Sequence, residues 1–401
     1  MIGKTEILIC LAFLAFSCCQ QRPALDKEIL NPDPPEISVG AERLELYLSK
    51  LEGKSVGMLV NQSSLVSGTH LVDTLVSRGV NVKRIFSPEH GFRGTADRGE
   101  KIKDDVDSST GVPIVSLYGS SKKPTMEQLE GLDILVFDLQ EVGVRFYTYT
   151  SSLHYFLEAA AEADIPVIIL DRPNPNGRHL GGNVHSLEKT SFVGLHPVPI
   201  LHGMTIGEYG RMIVGEGWLA DAIRANLEVI PCGNYTRDLR YELPIRPSPN
   251  LPNLRSILLY PSLCLFEGTV VSVGRGTAHP FQVYGHPEIQ EESFQFTPRS
   301  SVGAKYPVLE NESCKGWDLR AIPLEELEQE GFTLKYLMSA YQAFPDKTSF
   351  FLETGFFDTL FGNSSLRKMI QEGRSESEIM KSFEEELSSF EELRKKYLIY
   401  N

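Results

Sequence analysis

This sequence predicts an α/β protein built on a doubly wound parallel sheet, and three observations carry that prediction. From about residue 40 to residue 235, short apolar runs alternate with segments of helical period. One run, DILVFDLQ at 133–140, is almost continuously apolar, as in a strand buried on both faces. Polar residues then gather directly after the apolar runs, at the strand ends where such sheets take ligands.

In chain order, AERLELYLSKLEG predicts a helix ending at Gly53, and SVGMLVNQ a strand. THLVDTLVSRG predicts a helix capped by Thr69 and stopped by Gly79. VKRIFSPEHG and PIVSLYG are the next strands, PTMEQLEG is a short helix, and DILVFDLQ is the buried strand. Helix TSSLHYFLEAAAEAD, strand IPVIILDRPNP, helix TIGEYGRMIVGEG and strand LEVIPC complete the alternation. From about 245 the texture changes. PIRPSPNLPNL reads as a linker or rigid loop, and LCLFEGTVVSVGRGTAHPFQVYGHP as strand-like and glycine-rich. The tail, SESEIMKSFEEELSSFEELRKKYLIY, reads as an amphipathic helix with Ser375 and Glu378 as a capping box.

The 401 residues exceed one ordinary core, and the expected division is 1–19 signal peptide, 20–38 tether, 39–245 larger domain and 246–401 smaller α+β domain. The run ILICLAFLAF after Lys4 has the length of a signal-peptide core, and Ser17-Cys18-Cys19 resembles a lipobox with Cys18, or Cys19 beside it, as the lipidated residue. That implies an exported, cell-envelope or periplasmic protein held to a membrane only by its lipid. QQRPALDKEILNPDPPEIS is a polar, Pro-rich tether. Net charge −14 argues against a nucleic-acid partner, because phosphate backbones need a basic face. Cys232, Cys264 and Cys314 allow one bridge at most and have no zinc-like spacing. A GxGxxA match at Gly215 lies at a helix end, so no nucleotide is expected, and no cofactor is called for.

The chemistry-bearing residues fall at the strand ends. SPEHGFRG, 87–94, puts Glu89, His90 and Arg93 on one Gly-punctuated loop, enough for a tuned acid or base. A surface acid paired with Arg93 is the plainer alternative. FDLQEVGVRFYTYTSSL, 137–153, carries Asp138, Glu141, Arg145, Tyr147 and Tyr149, a set suited to sugar hydroxyls and ring faces. The plainer alternative is that Phe146 and one tyrosine are core, Arg145 is an internal ion-pair partner and Asp138 caps the following turn. LDRPNPNGR brings Asp171, Arg172 and Asn174, and LHGMTIGEYG adds His202 and Glu208, the latter placed to form a capping box with Thr205. Two carboxylates flanking a glycosidic bond would serve glycoside hydrolysis. Glu89, His90, Asp138 and His202 could instead bind metal, though not at diagnostic spacing, and no metal site is assigned.

Six motifs in order, SPEHGFRG, FDLQEVGVRFYTY, LDRPNPNGR, PSPNLP, LYPSLCLFEGT and GRGT, resemble the DUF1343 family from about residue 50 to the C-terminus. Its characterised members are exo-acting β-N-acetylmuramidases of peptidoglycan recycling, of NamZ type. The resemblance implies a Rossmann-like larger domain, a smaller C-terminal domain and an active site in the cleft between them. It implies release of non-reducing terminal N-acetylmuramic acid from peptidoglycan fragments, with a peptidoglycan-derived saccharide or muropeptide as partner. Glu89 carries over as the principal catalytic acid and Glu141 as the second, with His90 orienting the acid. Tyr147 and Tyr149 match motifs that line the pocket. Many relatives have Glu where this chain has Val273, and Glu267 in FEGT remains to face the cleft. The lactyl carboxylate of the substrate calls for a cation, with Arg93, Arg145, Arg172 and Arg275 as candidates and Arg275 or Arg172 foremost. Two readings stand beside this one: a non-catalytic muropeptide- or glycan-binding lipoprotein, and a metal-dependent ester or amide hydrolase.

Overall fold

The computed structural model describes residues 36–89, 91–92, 105–119, 121–290 and 294–401. From one edge, the strands of the main sheet run Leu227–Ile230, Val167–Leu170, Ile134–Asp138, Ser55–Val60, Asn81–Ser87, Pro113–Ser116 and Asp105–Val106. Neighbours are parallel except for the last strand, which pairs antiparallel with Pro113–Ser116. The chain starts centrally at Ser55–Val60 and winds outward through Asn81–Ser87 and Pro113–Ser116. It then returns to Ile134–Asp138 on the other side and winds outward again. This is the doubly wound order, and its reversal lies between Ser55–Val60 and Ile134–Asp138, where Val60 pairs with Asp138.

Alternation of side chains explains why both faces are covered. Leu135 and Phe137 pack with Leu59 and Phe86 on one face, while Ile134 and Val136 pack with Met58, Val60 and Ile85 on the other. The first of these cores runs on into the C-terminal half, through Leu265, Phe266, Phe281 and Phe357. Each such fully buried phenylalanine contributes roughly 1.5–3 kcal/mol. The second half is therefore packed onto the sheet, and Ile37–Asn401 forms one compact unit. That half holds a small antiparallel sheet, with Cys314–Asp318 between Val283–His286 and Phe294–Phe296, together with helices that include Lys335–Ala343, Phe356–Phe361 and Glu384–Arg394. Cys232, Cys264 and Cys314 are buried and form no disulfide among the described residues.

Four segments depart from expectation, each for a local reason. AERLELYLSKLEG makes two 3-10 turns and a four-residue helix, Leu48–Leu51, because the buried Tyr47 hydroxyl turns back to donate to the Ala41 carbonyl at 2.8 Å. The cap of Leu71–Ser77 is His70, not Thr69, with His70 Nδ1 accepting from the Val72 N–H. LCLF is helical, not strand-like: it closes helix Leu254–Leu263 and opens a 3-10 turn, Cys264–Gly268. Asn253 and Ser256 form that helix's capping box. Pro261 lies inside it and has no N–H for the Ile257 carbonyl, and the Asn176 side-chain amide donates to that carbonyl instead. The C-terminal helix is two helices, Glu376–Lys381 and Glu384–Arg394, bent where Phe383 buries against Phe361. The capping boxes at Ser375/Glu378 and Thr205/Glu208 are formed.

Candidate active site

A cavity of about 310 Å³ opens at the carboxyl ends of Asn81–Ser87 and Pro113–Ser116. One wall comes from the sheet half and carries Glu89, Tyr118, Lys122, Tyr147, Thr148 and Tyr149. The other comes from the C-terminal half and carries Asn250, Tyr260, Glu267, Arg275 and Phe281. PIRPSPNLPNL is part of this wall and not a loose linker. The Tyr147 hydroxyl donates to the Pro247 carbonyl at 2.8 Å, and Ser248 and Asn250 are buried.

Glu89 follows the strand that Pro88 ends. Its two oxygens accept from hydroxyls, Oε1 from Tyr118 at 2.9 Å and Oε2 from Thr148 at 3.1 Å. Hydroxyls rotate, so either can become the acceptor when Glu89 carries a proton. The carboxylate is thus held in place without being committed to a cation among the described residues. Tyr147 and Tyr149 pack edge to face at 4.8 Å, and Tyr149 Oη accepts from Asn61 at the end of the central strand. Burial pushes both tyrosine hydroxyls upward, so they remain neutral.

Glu267 is the second carboxylate facing the cavity, and it belongs to the C-terminal half. Arg275 holds it through Nε at 2.8 Å and Nη2 at 2.5 Å, and itself lies over the Phe281 ring at 4.9 Å. Of the cations expected from sequence, Arg275 alone among the described residues lines the cavity. Lys122, which sequence reasoning missed, lies 4.2 Å from the centroid of the Phe192 ring and forms no carboxylate pair among the described residues. Its neighbour Lys123 is the structural one, pairing with Glu158 and Glu162 at 2.7 Å each. Nothing in the sequence distinguishes the two lysines.

Several residues named from sequence are used up inside the fold. Asp138 is fully buried and held by the Arg172 fork at 2.5 and 2.9 Å, so neither is available to ligand or metal. Asp171 accepts from Thr205 Oγ1, the Gly207 N–H and the Tyr400 hydroxyl, and burial pushes its carboxyl up to about 6. Asn174 bonds the Met204 carbonyl and the Asn176 N–H, fixing its own turn. Arg145 donates to the carbonyls of Asn183, Val198, Leu360 and Phe361, binding the ribbon Gly181–Val184/Pro199–Leu201 to the end of helix Phe356–Phe361. Burial lowers it to about 9, which leaves it charged at neutral pH.

Glu141, expected as the second catalytic acid, does not line the cavity. It is 2 % exposed, its Oε2 accepts from the Gly143 N–H, and burial pushes its carboxyl up to about 8. His202 Nε2 lies 3.8 Å from that oxygen, and burial lowers the imidazole to about 3. Both groups are neutral at pH 7, a buried polar pair behind the site. His90, Arg93 and Cys18 lie outside the described residues.

Fold and site together define an α/β protein with an aromatic, carboxylate-bearing cleft of single-sugar size. Two family models match it nearly end to end: "Exo-beta-N-acetylmuramidase NamZ, N-terminal" over residues 56–255 and its C-terminal counterpart over 258–400. The chain is 38 % identical over 385 residues to the peptidoglycan β-N-acetylmuramidase NamZ of Bacillus subtilis (strain 168), covering 91 % of this chain and 92 % of that protein. Among solved structures, a DUF1343 family protein of Bacteroides fragilis superposes with TM-score 0.85 at 44 % identity, over 92 % of this chain and 99 % of that one. A second from the same organism gives TM-score 0.75 at 28 % identity, over 92 % and 100 %. The chain belongs to the exo-β-N-acetylmuramidase NamZ family.

Proposed function

We propose that the chain is a glycoside hydrolase that releases non-reducing terminal N-acetylmuramic acid from peptidoglycan fragments. The observation that carries the mechanism is Glu89, held by two neutral hydroxyls in the cavity and faced from the other half of the chain by Glu267. Glu89 gives its proton to the glycosidic oxygen as the bond from that oxygen to C1 breaks. Glu267, kept as an acceptor by Arg275, takes the proton of the water whose oxygen joins C1. Tyr147, Tyr149 and Tyr260 supply the aromatic surface against the ring.

Lys122 is the cation for the lactyl carboxylate. Arg172 and Arg145 are bonded elsewhere, and Arg275 is engaged by Glu267. Lys122 borders the same cavity from a position over Phe192. The N-terminal segment is read as an export signal with Cys18 as lipid anchor. A Cys18→Ser chain found still in the membrane fraction would remove that anchor.

The test is release of a chromogenic group from a β-N-acetylmuramide, beside the corresponding glucosaminide and with EDTA added to a parallel reaction. Turnover of the muramide alone, unchanged by EDTA, is expected. No turnover of either sinks the hydrolase reading, and loss on chelation transfers the chemistry to a metal.

A further inference from the structure

Lys122 and Lys123, neighbours in sequence, are both held by one face of one helix. In Tyr149–Glu162, the residues Tyr155, Glu158 and Glu162 are spaced three and four apart and so share a face. Glu158 and Glu162 take Lys123 directly, at 2.7 Å each, and the other Glu158 oxygen accepts from the Ala220 N–H at 2.8 Å. Tyr155 takes Lys122 at one remove. Its ring stacks on Phe192, with centroids 6.2 Å apart and planes at 15°, and Lys122 Nζ lies 4.2 Å from the centroid of that same Phe192 ring.

A tight turn brings Phe192 to this place. It lies in the connection between the ribbon strands Gly181–Val184 and Pro199–Leu201. Ser191 and Gly194 exchange backbone hydrogen bonds at 3.0 Å, which leaves Phe192 and Val193 at the tip, and both line the catalytic cavity. The turn rests on the buried His185. A Cβ at Gly194 would stand 2.8 Å from that ring, and His185 Nδ1 accepts from the Leu187 N–H at 2.9 Å. Tyr155, by contrast, does not line the cavity.

We infer that Phe192 and Tyr155 are positioning residues for recognition of the muramyl group, a stack that holds the Lys122 ammonium where the lactyl carboxylate arrives. This rests on the reading of Lys122 under Proposed function. A lysine side chain in water has many rotamers, and ordering it on binding subtracts from affinity. A ring face attracts the ammonium and limits those rotamers before substrate is present. It does so without a carboxylate, which the lactyl group would have to displace. Lys123 shows the contrast: two carboxylates already satisfy it, and it does not line the cavity. Phe192 is itself a half-buried ring on a loop, and Tyr155, on a helix, gives it a surface to lie against. Part of the preference for one sugar over another is thus set by a residue outside the cavity.

Calorimetry on the Glu89→Gln chain, comparing methyl β-N-acetylmuramide with methyl β-N-acetylglucosaminide, decides the matter. In that background Lys122→Met is expected to cut the preference for muramide about tenfold, through loss of a charge-assisted contact. Tyr155→Leu is expected to cut it about threefold, the scale of a loosened cation–π contact, with glucosaminide affinity unchanged. Tyr155→Phe is expected to keep the preference, and Tyr155→Leu added to Lys122→Met to cost nothing further. A preference untouched by Tyr155→Leu, a loss of both ligands alike, or a further threefold loss in the Lys122→Met chain overturns the stack and leaves the lysine reading standing. A preference untouched by Lys122→Met overturns the lysine reading and the stack together. Failure of the wild-type chain to cleave a muramide overturns the hydrolase reading, while the binding comparison still decides the stack.

Discussion

Two sets of strand ends in one sheet meet opposite fates. After Ile134–Asp138 and Val167–Leu170, the charged residues are closed into the protein: Asp138 into the Arg172 fork, Asp171 into Thr205, Gly207 and Tyr400. After Asn81–Ser87 and Pro113–Ser116, Glu89 and Tyr118 bond each other and face open space. Residue types are similar on both sides. What differs is the setting of the partners: Asp138 and Asp171 are fully buried with theirs, whereas Glu89 is held by two hydroxyls at the wall of a cavity. In such a sheet the strand-end rule locates a region, and that setting decides which acids in it can work.

This contrast can be broken in four ways. The largest effect belongs to the closed side: Asp138→Ala leaves the buried Arg172 without its counter-charge and is expected to cost about 3–5 kcal/mol of stability by urea titration. Wild-type stability would mean that these ends are not structural. On the open side, Glu89→Gln is expected to keep the melting temperature and lower turnover by at least ~100-fold. Near-normal turnover takes Glu89 out of the mechanism.

Lys122→Met sharpens the picture of the cavity wall. The ratio of kcat/KM on muramide to that on glucosaminide is expected to fall about tenfold, with Lys122→Arg recovering part of it. An unchanged ratio would send the lactyl carboxylate to Arg275. The smallest effect lies behind the wall, at Glu141. Its carboxyl is raised from an ordinary 4.5 to about 8, so between those values the folded chain holds a proton that the unfolded chain releases. Stability therefore falls as pH rises through that window. His202, lowered from 6.5 to about 3, works the other way and loses stability as pH falls below 6.5. Glu141→Gln is expected to gain in melting temperature over wild type from pH 5 to pH 8. A constant difference across that span would show that Glu141 is not buried as a neutral acid.

Much of this molecule can be read from residues in order. Strand–helix alternation identifies the parallel sheet because each element there is built from local period and caps. The helical reading of LCLF is not available that way, since the Ile257 carbonyl left free by Pro261 is satisfied by Asn176, 81 residues away. In the site, Glu89, Tyr147, Tyr149, Glu267 and Arg275 announce themselves by type and motif, and all five line the cavity. Asp138, Arg145, Asp171, Arg172 and Asn174 have the same credentials and bond inward, because pairing across the fold is invisible in one dimension. Lys122 carries no signal at all, as it differs from an ordinary loop residue only in what it faces, and Thr148 is marked only by its place between Tyr147 and Tyr149 in the FYTY run.

Tyr400 deserves a last consequence. Its hydroxyl reaches Asp171, and Glu208 accepts from the backbone N–H groups of Ile399 and Tyr400. Two acids buried in the sheet half gain, only late in synthesis, partners encoded some 190 to 230 codons further on. A nascent chain stalled before residue 399 has all the strands of the main sheet but lacks the donors that Ile399 and Tyr400 bring to these two acids. Completion of the sheet half is therefore a report on translation of the other half, and a chain cut short leaves Asp171 and Glu208 each short of donors that the last residues bring.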